Sequence, residues 1–210
     1  MNLLVIGGGG REHAIVKKLK ENPAVETIYC APGNGGIAAD AVCVPEIGAK
    51  DISAQVDLAK THSIDFAVVA PDDPLVLGAV DALEAAGIPC FGPEAKAAII
   101  EGSKVFSKDL MKKYGIPTAE YQVFTDAAAA MDYVKSCALP VVVKADGLAL
   151  GKGVLIAEPR EDAVAAVESI MLDRAFGDSG NQVVIEEFLT GPEVSVLAFT
   201  DGKTVVPMVS

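Results

Sequence analysis

Across the first hundred residues short apolar runs alternate with helix-period stretches, and this alternation narrows the possible folds more than any other feature of the chain. Leu3–Ile6, Thr27–Cys30, Ala41–Val44, Phe66–Ala70 and Pro89–Phe91 read as strands, with helices over Glu12–Lys20, Ile52–Thr61 and Leu75–Ala86. Parallel neighbours need a crossover, and a helix supplies it, so this succession predicts an α/β fold: a parallel sheet covered by helices. Gly92-Pro93 punctuates the end of that unit, and Glu94–Ile100 forms a further helix.

The pattern then changes. Ser103–Tyr114 reads as a helix with Ser103 as its N-cap and Gly115-Ile116-Pro117 as its stop. Tyr121–Phe124 is a strand, Asp126–Lys135 a helix, Arg160–Met171 a helix and Gln182–Phe188 a strand. Glu193–Thr200 and Thr204–Met208 form a hairpin across Asp201-Gly202. This second half is α+β, which puts a domain boundary near Pro117. The apolar last strand ends at Ser210 with nothing after it, so the chain is expected to be an unfinished domain.

A hydrophobic content of 51% and a mean hydropathy of +0.39 exclude disorder. No apolar run reaches the roughly 18 residues of a membrane span, and Met1–Ile6 lacks the basic region and cleavage site of a signal peptide. The four cysteines form no CxxC pair, and there are only two histidines, so reduced buried thiols are expected rather than zinc or disulfides. These features predict a cytoplasmic protein. A formal charge of −12 argues against nucleic acid as a partner, since phosphate backbones attract basic surfaces.

Two segments suit a phosphate. Gly7-Gly8-Gly9-Gly10-Arg11-Glu12-His13 joins the first strand to the first helix, where backbone N–H groups and the helix N-terminus favour an anion. A tight strand-to-helix turn would show the same glycines. The dinucleotide fingerprint is not met, because its third glycine would fall at Glu12 and the second strand lacks its terminal acid. That disfavours a nicotinamide oxidoreductase. Pro32-Gly33-Asn34-Gly35-Gly36 and Pro71-Asp72-Asp73-Pro74 reach the same carboxyl edge of the sheet. The second segment runs from Val141 to Gly153, an apolar run carrying Lys144 that breaks into a loop with Gly147, Gly151, Lys152 and Gly153. It reads as a β-hairpin whose glycines let the backbone approach phosphate oxygens while lysines neutralise them. Three residues between Gly147 and Gly151, and Gly153 after Lys152, exclude a Walker A loop. Glu186-Glu187-Phe188-Leu189 places two carboxylates at a strand end, a pattern that surface glutamates also produce.

In order along the chain, these motifs resemble those of the phosphoribosylamine–glycine ligases (glycinamide ribonucleotide synthetases), a family of the ATP-grasp superfamily. The resemblance runs through Val5–Ala14, Ala31–Asn34, Phe91–Pro93, Glu101-Gly102-Ser103-Lys104, Lys144–Ala149, Gly151-Lys152-Gly153 and Ile185–Leu189. One departure is Ala70-Pro71-Asp72-Asp73-Pro74-Leu75, where the family usually has Gly-Pro-Glu-Ala-Pro-Leu.

The resemblance implies a Rossmann-like parallel-sheet domain preceding the ATP-grasp part (1–117), an α+β ATP-grasp lid subdomain (118–190) and the start of the larger ATP-grasp subdomain (191–210). It implies ATP-dependent joining of glycine to 5-phosphoribosylamine through glycyl phosphate, in purine synthesis. By the same resemblance Lys104, Lys144, Gly147, Gly151, Lys152 and Gly153 face ATP phosphates. Glu186, Glu187, Phe188 and Leu189 face adenine, and Glu193 faces ribose. Gly8, Gly9, Gly10, Arg11, Glu12, Asn34, Gly35, Pro71 and Asp72 face phosphoribosylamine. Mg²⁺ ligands and most of the glycine pocket are expected beyond Ser210, so this chain is expected to be inactive alone and to need a complementing C-terminal half. The competing readings are another ATP-grasp carboxylate–amine ligase and a nucleotide-binding fragment without catalysis.

Overall fold

The computed structural model describes residues 1–148 and 153–209. Five strands form a parallel sheet in the order β3-β2-β1-β4-β5: β1 (Asn2–Gly7), β2 (Thr27–Pro32), β3 (Val42–Cys43), β4 (Phe66–Val69) and β5 (Cys90–Phe91). The first strand lies at its centre, paired with β2 from Asn2↔Thr27 to Gly7↔Pro32 and with β4 from Leu3↔Phe66 to Ile6↔Val69. Leu3, Leu4, Val5 and Ile6 are all buried, as a strand covered on both faces requires. One face packs Leu4, Ile6, Ala67 and Val69 against α2 (Ile52–Thr61) and α4 (Ala79–Ala85), through Leu58, Ala59, Val80 and Leu83. The other packs Leu3, Val5 and Val68 against Val16 of α1 (Gly10–Lys20).

The expected helix over Leu75–Ala86 is two helices, α3 (Asp72–Val76) and α4. Gly78 separates them at φ +86°, a left-handed conformation that ends one helix and redirects the chain into the next. Two further helices follow, α5 (Ala95–Gly102) and α6 (Lys104–Tyr114), with Ser103 between them. The Ser103 hydroxyl accepts from Phe106 N at 3.0 Å, the expected N-cap, and Gly115 ends α6 at φ +65°.

The second sheet has the order β6-β9-β7-β8 and is antiparallel: β6 (Tyr121–Phe124), β7 (Val141–Ala145), β8 (Val154–Ala157) and β9 (Val183–Glu187). The residues Val141, Val143 and Ala145 of β7, and Val183 and Ile185 of β9, turn to one face. There they meet Ala130 and Val134 of α7 (Ala127–Val134) and Ala163 and Val167 of α8 (Arg160–Val167). Val142, Lys144, Val184 and Glu186 therefore share the other face, because side chains alternate along a strand. The helix expected over Arg160–Met171 is α-helical only to Val167 and continues as a π-turn over Glu168–Leu172. The last hairpin, β10 (Ala198–Thr200) with β11 (Val205–Pro207), is shorter than expected. Among the described residues no helix is long and apolar enough to cross a membrane.

The tetraglycine turn is built by packing. A Cβ on Gly8 would sit 2.6 Å from the Gly33 carbonyl oxygen, a backbone atom fixed by the Gly33 N–Gly7 O bond of 3.0 Å. A Cβ on Gly10 would meet nothing within 4 Å. Gly8→Ala is expected to lower stability by about 1–3 kcal/mol through this clash. Gly10→Ala, in the first turn of α1, should stay within about 1 kcal/mol of the parent or gain slightly. Urea unfolding followed by circular dichroism measures both, and equal effects would contradict this account.

Candidate nucleotide and substrate cleft

In the order β3-β2-β1-β4-β5 the chain leaves β1 in opposite directions, so a crevice opens beyond the carboxyl ends of β1 and β4. The turns after both strands meet there. A Cβ on Gly7, whose φ is +125°, would lie 2.9 Å from Pro71 Cγ. Arg11, Pro71, Asp72 and Asp73 form one wall of a cleft of about 610 Å³ at this place; Glu101, Lys104, Gly147, Leu148, Gly153 and Val154 form the other. Cavities of this size hold small organic ligands.

Asp146 ties the second wall together. Its carboxylate accepts from Val105 N (3.1 Å), the Ser103 hydroxyl (3.2 Å to each oxygen) and Gln182 Nε2 (2.6 Å). An anion at the start of α6 is also favoured by the helix dipole. Just beyond it, Lys104 Nζ donates to the Gly147 carbonyl at 2.8 Å. Burial holds the Lys104 amine below the ordinary lysine pKa, while Asp146 and Glu101 pull the other way. An arriving anion would raise it. Gly147 has φ +119°, and a Cβ there would stand 2.6 Å from the Ser179 hydroxyl.

Lys144 and Glu186 are brought together behind Lys104. Lys144 Nζ lies 2.8 Å from Glu186 Oε2, and Lys108 Nζ lies 3.1 Å from the same oxygen. Glu186 is 5% exposed, and its other oxygen has no hydrogen-bond partner among the described residues. Lys144 and Glu186 are both close enough for their charges to act on the Lys104 amine.

Other expected site residues are placed differently. Glu12 is buried and its Oε2 accepts from Gly9 N at 2.6 Å, so it closes the first turn of α1 and does not face the cleft. The Gly9 N–H is thereby taken, which corrects the expectation of a free row of amides over Gly7–Gly10. Asn34 is likewise engaged within the fold. Its Nδ2 donates to Gly8 O at 2.8 Å, and its Oδ1 accepts from Gly36 N at 2.7 Å and Ile37 N at 2.9 Å. Gly35 is exposed and outside the cleft wall. Glu187 Oε1 accepts from Glu120 N at 3.0 Å, fixing the edge of β9 to the chain entering β6. Phe188, Leu189 and Glu193 are exposed and line no part of the cleft. Gly151 and Lys152 lie outside the described residues. Lys108, Asp146, Gln182 and Ser179 were not singled out by sequence, and only the Lys-Ala-Asp-Gly motif could have pointed to one of them, Asp146.

The four-stranded antiparallel sheet that follows the five-stranded parallel sheet belongs to the stretch 102–210 matched by an ATP-grasp domain model, which places the chain among ATP-grasp proteins. The biotin carboxylase domain of the Hydrogenobacter thermophilus 2-oxoglutarate carboxylase shares that fold: TM-score 0.71 and 21% identity, covering 90% of this chain and 44% of that one. The chain belongs to the phosphoribosylglycinamide synthetase family, whose N-domain model matches residues 1–101 and whose ATP-grasp (A) domain model matches residues 102–210. A phosphoribosylamine–glycine ligase of Listeria monocytogenes is 53% identical over 208 residues, 99% of this chain and 50% of that protein. The crystal structure of the Thermotoga maritima phosphoribosylamine–glycine ligase superposes with a TM-score of 0.80 at 32% identity, covering 99% of this chain and 49% of that one. The chain thus spans about half the length of the curated relatives it matches.

Asp146→Ala would leave the Val105 amide, the Ser103 hydroxyl and the Gln182 amide without their shared acceptor. A loss of about 1–3 kcal/mol in urea unfolding is expected. Amide exchange at Val105 should speed up while Ala54, capped by Asp51, stays unchanged.

Proposed function

We propose that this chain forms the phosphoribosylamine side and the nucleotide lid of a ligase that joins glycine to 5-phosphoribosylamine, converting ATP to ADP and phosphate. In this reading residues 1–117 are the substrate domain, 118–190 the lid and 191–210 the start of the larger ATP-grasp subdomain. The supporting observation is the single cleft that draws Arg11 and Asp72 from the sheet edge together with Lys104, Gly147 and Gly153. Family membership supplies the reaction class, and the cleft supplies groups of suitable charge for it.

The chemistry requires a phosphoryl group to pass from ATP to the glycine carboxylate. The amine nitrogen of phosphoribosylamine then attacks the acyl carbon, phosphate leaves, and the nitrogen loses a proton. Lys104 and Lys144 neutralise the polyphosphate, which is the main protein contribution to such transfers. Arg11 offers the sugar phosphate a paired, planar donor set. Asp72, on the same wall, offers a carboxylate to the hydroxyls or amine of the sugar. Glu186, with Phe188 and Leu189 just after it, borders the adenine position, and Glu193 belongs to the ribose side. Mg²⁺, when bound, would supply charge stabilisation at the phosphate oxygens. Among the described residues no group of three His, Cys, Asp or Glu side chains is placed to hold it.

Calorimetric titration with Mg-ATP tests the lid. Binding is expected, and Lys144→Ala should weaken it about tenfold or more, the loss of one charge-assisted phosphate contact. Absence of binding would remove the nucleotide from this reading. Titration at alkaline pH gives a second signature. The amine of Lys104 is depressed in the free chain, and bound phosphate raises it, so binding should take up protons as the pH rises through the depressed value. Buffers of different ionisation enthalpy would report that uptake, and Lys104→Met should abolish it.

A further inference from the structure

We propose that Lys108 is a positioning residue: it holds the Glu186 carboxylate continuously, which leaves Lys144 free to turn to an incoming phosphate. This rests on the nucleotide reading of the cleft but concerns a residue that reading does not use. Glu186 Oε2 serves two ammonium groups at once, Lys144 at 2.8 Å and Lys108 at 3.1 Å. The two lysines differ in every other respect. Lys108, in the middle of α6, is 6% exposed and surrounded by partners. Its amine also donates to Thr118 Oγ1 at 2.7 Å and to Ala119 O at 3.3 Å, and it lies 5.5 Å from the centre of the Tyr121 ring. Tyr121 is paired in register with Glu186, so Lys108 is enclosed by the two residues of one β-ladder rung. Two of its ammonium protons go to Thr118 and Ala119, the Glu186 carboxylate is its ion-pair partner, and at 6% exposure the amine has little surface to offer a ligand.

Lys144 has a side chain 25% exposed and Glu186 as its hydrogen-bond partner among the described residues. Among the described residues its other two ammonium protons have no acceptor. The cluster of two cations and one carboxylate carries a net charge of +1, so it attracts an anion.

A buried carboxylate with one counter-ion holds that counter-ion tightly, because separation would strand an unpaired charge in a poorly solvated place. With Lys108 in place, Lys144 can move without stranding Glu186. Without Lys108, Lys144 becomes the sole counter-ion and is locked. Lys108 therefore acts on phosphate through Lys144, while touching no phosphate itself.

The test needs no nucleotide. The rate at which an N-hydroxysuccinimide ester acylates Lys144, resolved by peptide mass spectrometry, reports how free that amine is. Lys108→Met is expected to slow Lys144 labelling about tenfold by leaving a one-to-one pair. Glu186→Gln is expected to speed it, and adding Lys108→Met to Glu186→Gln should then change nothing. An unchanged rate in Lys108→Met, with melting lowered, would mean a purely structural lysine and overturn the proposal. Should Lys108→Met fail to fold, Glu186→Gln decides, because unchanged Lys144 labelling there also overturns it. Mg-ATP titration of the same chains separates the two readings. Labelling shifts without nucleotide binding by the unsubstituted chain would support the charge sharing and remove only the nucleotide assignment.

Discussion

Asp146 is the point from which the rest of the cleft is set out. One carboxylate, on the loop leaving β7, collects donors from two separate stretches: the cap and first turn of α6, and the residue before β9. The loop and those stretches carry Lys104, Gly147 and Glu186. Fixing their common origin fixes where their chemistry converges, which no pairwise contact between surfaces would do as well. A charged acceptor suits this role because each of its bonds is stronger than a neutral one and because the start of a helix favours an anion. The cost is that Asp146 is then committed, and the positive potential that remains for a ligand comes from Lys104 and from Lys144 behind it.

The wider charge balance makes this local arrangement necessary. At −12 the chain repels anions at long range, so an anion site has to be made from few cations held close together. Arg11, Lys104, Lys108 and Lys144 do this, each held on a helix or strand. The wall that carries Arg11 adds Asp72 and Asp73, with Lys50 paired to Asp73 at 2.7 Å. A cleft with both signs of charge selects for ligands that also carry both.

Much of the architecture was legible in sequence. Continuous apolar runs such as Leu3–Ile6 predict parallel strands buried on both sides, and they are. Ser103 and Gly115 marked helix ends correctly because capping is local chemistry, confined to three or four residues. Local periodicity was less useful where one backbone angle decides the outcome. Leu75–Ala86 keeps a helical pattern across Gly78, yet its φ of +86° makes two helices. The pairing of Lys144 with Glu186 spans 42 residues and depends on the register Val142↔Glu186, which no single segment contains. Lys108 was hidden for the same reason. In sequence it is one lysine among several on a polar helix, and only the docking of α6 against β6 and β9 buries it.

The glycine turn shows how one motif can rest on a mixed cause. Four successive glycines suggest a backbone cleared for a ligand, but the positions have different reasons. Gly7 needs its positive φ and has no room beside Glu12 and Pro71; Gly8 lies against the backbone of Gly33. Gly9 has its amide bound to Glu12, and an added Cβ would press on that same carboxylate at 2.7 Å. These three are required by the fold itself, through close approach of β1 to the turn after β2 and through the capping of α1. Gly10 alone faces open space, directly before Arg11 at the cleft wall. Of the four it is the one whose missing side chain the packing does not explain.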